Sequence, residues 1–217
     1  MVMLRLARRL ATDRHGGAMI ETLMVINILV LVLAGFIEFG VAMNQWNMAG
    51  KAVQVGARLA AVSDPVDSRL DTWEDSAPPG DPVTDTFDTL CDGSEGTCTA
   101  DGLDGVDGYD AARMGRLFDG SDYDPLERHC DATGTVMGMC DVFPNPNFSA
   151  ANIRVRYQST GLGYAGRPGG AVPTITVSLT GVPFQFLLLG SLLGLDDIEL
   201  PSFATTIVGE DLSSVYD

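Results

Sequence analysis

Histidine and the motifs of the common catalytic sites are nearly absent from this chain. Among its 217 residues only two are histidines, His15 and His129. The sequence contains no glycine-rich phosphate loop, nucleophile elbow or metal-ligand pair. Only a site assembled from dispersed Asp, Ser and Tyr side chains would escape such a survey. We therefore expect a protein that is not an enzyme.

Basic residues are also few. The chain has 13 Lys and Arg against 29 Asp and Glu, which gives a net charge of −16. An acidic protein repels the phosphates of nucleic acids, whose binding depends on Lys and Arg. We expect no nucleic-acid partner.

The basic residues are unevenly distributed, and four of them precede the longest apolar stretch, which runs from Leu23 to Ile37. These four are Arg5, Arg8, Arg9 and Arg14. A short basic flank of a membrane segment stays in the cytoplasm. We therefore expect a single-pass membrane protein with a cytoplasmic leader over residues 1–16 and its body outside the cytoplasm.

An ordinary secretory signal is an alternative interpretation of the same stretch. Leu23 to Leu33 would serve as its apolar region, with a cleavage site after Ala34. The basic region would then be unusually long and would contain Glu21. Helical patterning also continues well past Ala34, which favours a membrane helix over a removed signal.

A carboxylate lies at the entrance of the apolar stretch, in the segment from Gly16 to Glu21. A charge at the centre of a membrane helix costs roughly 2.5–3.5 kcal/mol, and less near the interface, so Glu21 needs a partner. Cleavage after Gly16 would create a positively charged amine on Gly17, and Glu21 would be the fifth mature residue. It could then pair with the amine of a neighbouring subunit. Alternatively, Glu21 only interacts with the positive end of its own helix among the headgroups.

These residues resemble the class III signal of pilins and pseudopilins, and the chain resembles the TadE/TadG-like family of tight-adherence (Flp) pilus proteins. That family commonly reads Arg-Gly-Ala-x-x-x-Glu-Phe before the apolar stretch, whereas residues 14–22 read RHGGAMIET. Thr22 stands where an aromatic residue is common. The doubled glycine leaves the cleavage site open between Gly16 and Gly17, and cleavage after Gly17 would make Glu21 the fourth residue.

The resemblance implies a minor pseudopilin, a structural component of a tight-adherence (Flp type IV) pilus or a related secretion system in the bacterial inner membrane. Its implied partners are other pilin-like subunits, the pilus assembly machinery, prepilin peptidase and inner-membrane lipid. Its body would be periplasmic or extracellular. An alternative is a permanently anchored binding module for calcium or a protein, which is never incorporated into a pilus.

One helix is predicted over residues 17–63, with its transmembrane part at about residues 22–43. Its length of roughly 65–70 Å is more than twice the ~30 Å thickness of the hydrocarbon core, so the second half stands outside the membrane. In that half, polar residues from Asn44 to Arg58 recur on one face, and small residues from Ala42 to Ala60 recur on the opposite face. The small face packs either on the protein's own C-terminal part or on a partner.

Residues 64–152 form an acidic, loop-rich insert that contains all four cysteines: Cys91, Cys98, Cys130 and Cys140. Outside the cytoplasm cysteines are oxidised, and local pairing of Cys91 with Cys98 and of Cys130 with Cys140 is favoured over the other two connectivities. A zinc site formed with His129 is the alternative. The spacings between these cysteines do not fit structural zinc sites.

Within this insert four aspartates recur every three residues among glycines, at Asp101, Asp104, Asp107 and Asp110. Calcium is bound by six to eight oxygens, and turns of this kind can gather several of them, although the spacing is not that of an EF-hand. A solvated, turn-rich loop is the simpler interpretation. We expect no obligatory cofactor, with calcium as the ion to test.

Residues 153–217 are predicted to form a small β-rich domain. Ile153–Tyr157 and Ile175–Leu179 alternate apolar and polar residues, and a third strand is expected at Phe203–Val208. The apolar run from Val182 to Leu195 is too short to span a membrane and indicates a buried or interfacial segment. The predicted fold class is α+β: a long N-terminal membrane-spanning helix continues into a small antiparallel pilin-like domain with a disulfide-bonded insert.

Overall fold

The computed structural model describes residues 15–120, 130, 136–167, 172–184, 186, 190, 194 and 198–209. The basic leader before His15, His129 of the zinc alternative and most of the apolar run after Phe184 lie outside these residues.

The predicted long helix is confirmed. It spans His15–Ala61 and is named α1. The part of this helix from Met19 to Ala61 is long and apolar enough to cross a membrane, and its most apolar window has a mean hydropathy of 2.5. The helix ends at Ala61. Asp64 would disfavour its continuation, because the residue before a proline avoids the α-helical region.

The remaining elements are short and lie in the second two-thirds of the chain. A 3₁₀ helix at Ser68–Thr72 precedes a hairpin of β1 (Asp88–Asp92) and β2 (Thr97–Asp101), which is followed by α2 (Ala111–Asp119), α3 (Met139–Val142) and a 3₁₀ turn at Ala150–Asn152. The last strands are β3 (Ile153–Ser159), β4 (Pro173–Leu179), β5 (Pro183–Phe184), β6 (Ile198–Glu199) and β7 (Phe203–Val208).

Five of these strands form one antiparallel sheet in the order β2-β1-β3-β4-β7. The α+β class is therefore confirmed. The three strands predicted near the C-terminus are all present, and the third has the predicted bounds of Phe203–Val208. The short strands β5 and β6 pair separately.

Strands β1 and β2 lie in the acidic insert, where no strand was predicted. They join the same sheet as the C-terminal strands, since Cys91 of β1 pairs with both Cys98 and Val155. The alternation typical of strands is concealed in β1. Its buried positions include Thr89 and Cys91, while Leu90 is exposed, so hydrophobicity alone does not separate its two faces.

The chain divides into two compact units. The first contains Met1–Met43 and Gln185–Asp197, and the second, here called the sheet unit, contains Asn44–Phe184 and Ile198–Asp217.

The core of the sheet unit lies between the second half of α1 and one face of the sheet. The helix contributes side chains that are almost entirely buried: Ala49, Ala52, Val53, Ala57 and Ala60. From the sheet come Ile153, Val155, Tyr157, Ile175, Val177 and Leu179. The small face of the helix therefore packs on the protein's own sheet. At the edge of this contact Trp46 meets Phe203 edge to face, with ring centroids 4.8 Å apart.

The opposite face of the sheet is polar. Arg154 donates to Asp92 at 2.6 Å, Arg156 pairs with Asp88, and the hydroxyls of Thr176 and Thr206 lie 2.9 Å apart. The half-exposed pair of Arg156 with Asp88 contributes only about 0–1 kcal/mol, whereas the Asp92 side chain is 12% exposed and its pair with Arg154 is partly buried. The fold is therefore stabilised mainly by the helix-facing side of the sheet.

Two glycines of α1 provide a test of this packing. A Cβ added at Gly50 would lie 4.0 Å from Phe203, an ordinary contact, whereas one at Gly56 would overlap the Sδ of buried Met139 and lie 2.9 Å from its Cγ. Alanine improves helix propensity by roughly 0.8–1.0 kcal/mol at either site, but overpacking costs about 1–3 kcal/mol. We expect Gly50→Ala to raise the unfolding free energy above that of the native chain. We expect the unfolding free energy of Gly56→Ala to be lower than that of Gly50→Ala by about 1 kcal/mol or more.

The measurement is denaturant unfolding of the full chain in detergent, monitored with a spectroscopic signal from the sheet unit. Because both substitutions gain the same helix propensity, Gly50→Ala is the matched control. Equal stability of the two variants would show that Met139 does not pack tightly on Gly56.

Candidate functional site

The segment predicted to carry processing and docking begins α1. Gly16, Gly17 and Glu21 all lie within the helix, and Gly17 and Glu21 are one turn apart on the same face. Glu21 is exposed, and a Cβ added at Gly17 would meet nothing within 4 Å. Nothing in the described chain therefore covers this end of the helix.

From Met19 to Leu33 the helix exposes large apolar side chains on all its faces, and Phe36, Ile37 and Phe39 beyond this stretch are also exposed. Met24 is 68% exposed, Ile28 66% and Phe36 70%. Exposed apolar surface of this extent is unfavourable in water, at about 25 cal/mol per Å². The helix is a candidate membrane span, and Glu21 lies at the start of its exposed apolar surface.

A second carboxylate, Glu38, also lies within the predicted transmembrane part and was not singled out from the sequence. It is only 4% exposed, and Ala34, one turn earlier, is 8% exposed. Glu38 has interactions within its own chain. The two carboxylates of the apolar segment therefore differ, because Glu21 is accessible to a partner and Glu38 is not.

The sheet unit contains a buried carboxylate directly after α1. Asp67 is fully buried and accepts hydrogen bonds from Arg69 Nε at 2.8 Å, Arg69 Nη2 at 2.6 Å and Thr89 Oγ1 at 2.6 Å. Arg69 also donates to the Cys98 carbonyl at 3.1 Å. This Asp67 network ties the end of the helix to β1 and β2.

The charged form of Asp67 is stabilised by these partners. Burial works to raise its pKa, but the hydrogen bonds from Arg69 and Thr89 outweigh burial, so the pKa lies below its ordinary value. The network was not predicted. Its only sequence signal is an acidic and a basic residue two positions apart.

Tyr157 makes the neighbouring contact. The Val66 amide donates to the Tyr157 hydroxyl at 3.0 Å, and burial raises the pKa of this phenol well above its ordinary value. Strand β3 is thus joined to the chain that leaves α1, and the phenol stays neutral.

All four cysteines form disulfides in the structure, Cys91 with Cys98 and Cys130 with Cys140. Among the described residues, the only group of potential metal ligands within 4.8 Å of one another is Asp67 with Cys91 and Cys98. The sulfurs of this group are bonded to each other, and a cysteine binds zinc only as a free thiolate. This arrangement is therefore suited to structural support.

The four aspartates of the Asp-Gly repeat do not converge on one point. Asp107 accepts from the Cys98 amide at 2.7 Å and from the Tyr109 amide at 3.0 Å. Asp110 accepts from the Ala112 amide at 2.9 Å and so caps α2. The remaining two, Asp101 and Asp104, are exposed. Calcium binding by this set stays a prediction.

Close packing explains why residue 108 of the repeat is a glycine. A Cβ at Gly108 would overlap Asp67 Oδ1 and lie 3.0 Å from the Cγ of Arg69. The Gly108 carbonyl also accepts from the Ser68 amide at 2.9 Å. The repeat therefore includes a position that must be small so that its backbone can cover the Asp67 network.

Removal of the Asp67 carboxylate should destabilise the sheet unit. Asp67→Asn leaves Arg69, whose side chain is only 13% exposed, without its counter-charge, and breaking a buried pair costs about 3–5 kcal/mol. Asp88→Asn is the matched control, because its ion pair with Arg156 is half-exposed and should cost about 0–1 kcal/mol. Unfolding free energies near neutral pH provide the measurement.

The contribution of Asp67 to stability should also depend on pH. Because the pKa of folded Asp67 lies below its unfolded value of about 3.9, its stabilisation is complete above that pH and is lost as the pH falls towards the folded pKa. The stability difference between the native chain and Asp67→Asn should therefore shrink below about pH 4. A difference that stays constant or grows as the pH falls would contradict a charged Asp67.

Comparison with known proteins gives a match to a protein family. Residues 16–58 match the family model described as TadE-like protein, and this segment is about a fifth of the chain. No curated protein and no solved structure matches the chain. The resemblance drawn from the glycine pair and Glu21 is confirmed over this segment, which lies entirely within α1.

Proposed function

We propose that this protein is a minor pseudopilin, a structural and assembly component of a tight-adherence (Flp type IV) pilus or a related secretion system. The observation that carries this proposal is the match of residues 16–58 to the TadE-like family. That segment contains the glycine pair, Glu21 and the whole exposed apolar surface of α1. It ends at Arg58, one turn before the helix ends.

Insertion and orientation follow from the charges and the helix. The part of α1 from Met19 onward is a candidate membrane span, and the four arginines of the leader favour a cytoplasmic N-terminus. The two disulfides suit a compartment outside the cytoplasm. Prepilin peptidase would then act at the cytoplasmic end of the helix, at Gly16 or Gly17.

Docking would depend on Glu21. After cleavage, a new amine at Gly17 carries a positive charge near neutral pH. The exposed Glu21 of one subunit can pair with the amine of another within a layer of apolar helices. In such surroundings a charge needs a partner. The buried Glu38 cannot replace it.

The proposed role is assembly without catalysis. The described part of the chain presents an apolar helix, a sheet with a structural disulfide, and buried polar residues that are hydrogen-bonded to one another. The sheet unit would be displayed outside the membrane, while α1 provides the contact with pilin-like subunits and lipid.

Processing can be read from the intact mass of the protein from native membranes, measured without reduction. We expect a chain that begins at Gly17 and contains two disulfides. A chain that retains Met1 would indicate a permanent anchor, and one that begins at Gly35 would indicate a secretion signal. Either result would contradict a processed pseudopilin.

Docking can be tested by Glu21→Ala and Glu21→Gln. Both should insert into the membrane at least as well as the native chain, because the charge penalty is removed. Both should fail to co-purify with pilus components, because the ion pair is lost. Leu23→Ala is the matched control, since it changes an exposed apolar neighbour and keeps the charge. Normal co-purification of the two Glu21 variants would show that Glu21 is not required for docking.

A further inference from the structure

The second half of α1 keeps one polar face uncovered by the sheet unit. Its members, all exposed, are Asn44, Asn47, Lys51, Gln54 and Arg58. Lys51 and Arg58 are seven residues apart, which places them about two turns apart on the same side of the helix. This Lys51–Arg58 face is a positive strip on an acidic protein.

The two cations of this face differ from most others in the sheet unit. Arg69, Arg113, Arg154 and Arg156 are all paired with aspartates. Lys51 and Arg58 have no ion-pair partner among the described residues. Their charges are available to another molecule.

A complementary surface exists elsewhere on the sheet unit. Two adjoining clefts, each of about 650 Å³, share Thr72, Trp73 and Glu74 in their walls. Asp104 lines one cleft and Tyr164 lines the other. Trp73 is held by an edge-to-face contact with Phe87, with ring centroids 4.8 Å apart. This surface is called the Trp73 cleft.

The carboxylates of the Trp73 cleft are not equally available. Asp71 is paired with Arg113, and Asp75 accepts from the amides of Ala77, Thr84 and Asp85. Glu74 and Asp104 are exposed and have no hydrogen-bond or ion-pair partner among the described residues. A cation in the first cleft would meet Glu74, Trp73 and Tyr164, and one in the second would meet Glu74, Trp73 and Asp104. Aromatic surfaces attract cations. The two arginines that line these clefts, Arg167 and Arg69, already have partners within the chain.

We propose that the Lys51–Arg58 face of one copy docks in the Trp73 cleft of a second copy of this chain. Two unpaired cations and two unpaired carboxylates of the same chain thereby satisfy one another, and complementary charges of this kind set register and orientation at interfaces. Because the face and the cleft share no residue, the contact is head-to-tail and can be repeated from copy to copy. It deepens the proposed pseudopilin role, on which it rests, by naming a lateral contact outside the membrane.

The test is disulfide cross-linking of full-length copies in native membranes. The four native cysteines are all in bridges, so Gln54→Cys on the face and Thr72→Cys in the cleft introduce the only free thiols. Copies with different tags are co-expressed and oxidised. We expect a cross-linked dimer when the two variants are combined, with a yield at least fivefold above that of either variant alone.

Charge variants test the chemistry of the contact. Lys51→Gln combined with Arg58→Gln should lower the cross-linking yield at least fivefold. Arg154→Gln combined with Arg156→Gln is the matched control, because it removes the same amount of positive charge from the polar face of the sheet and should leave the yield unchanged. Glu74→Lys should also lower the yield, and a Lys51→Glu copy should restore it. High salt should lower it by screening.

Three outcomes overturn the docking. The first is a cross-linking yield no higher in the combined sample than in either single sample. The second is an equal loss of yield in the Lys51/Arg58 double variant and in the Arg154/Arg156 control. The third is no recovery of yield when Lys51→Glu is combined with Glu74→Lys. Co-purification with pilus components is measured on the same samples. Co-purification without the cross-link rejects the docking and keeps the proposed function, whereas the cross-link without co-purification supports the docking and rejects the proposed function.

Discussion

The contact between the small-residue face of α1 and the buried face of the sheet is the constraint on which the sheet unit depends. Ala49, Val53, Ala57 and Ala60 are at most 1% exposed, and such small side chains let the helix approach the sheet closely. Strands from both the acidic insert and the C-terminal part reach this one surface. The two strands of the insert would be only marginally stable as an isolated hairpin, and the helix covers the apolar side of the sheet that they join.

The polar contacts decide how the chain leaves this core. Asp67 holds Arg69 and Thr89 just after the helix ends, and Val66 is joined to Tyr157. Since all these groups are buried or nearly so, each must find a partner within the protein. The result is a fixed path for an acidic segment whose composition alone favours disorder. The disulfide from Cys91 to Cys98 lies across the same hairpin.

The helix therefore carries surfaces of three kinds along one element. Its first half exposes apolar side chains around Glu21, its second half buries small residues on the sheet, and the remaining polar face carries Lys51 and Arg58. A protein that only folded on itself would need the second surface alone. The first surface suits lipid and the helices of other subunits, and the third suits a charged partner outside the membrane, as expected for an assembly component.

The long helix, its apolar first half and the strands β3, β4 and β7 could all be predicted from the sequence, because periodicity and hydropathy are local properties. Glu21 and the glycine pair could likewise be identified from the sequence, and they led to the same family that residues 16–58 match. The place of β1 and β2 in the sheet could not be predicted in this way, since Leu90 is exposed while Thr89 is buried. Only the fold brought Asp67 to Thr89, and only in the fold do Lys51 and Arg58 lack an ion-pair partner among the described residues. Burial and pairing of charges depend on residues distant in sequence, which no local pattern specifies.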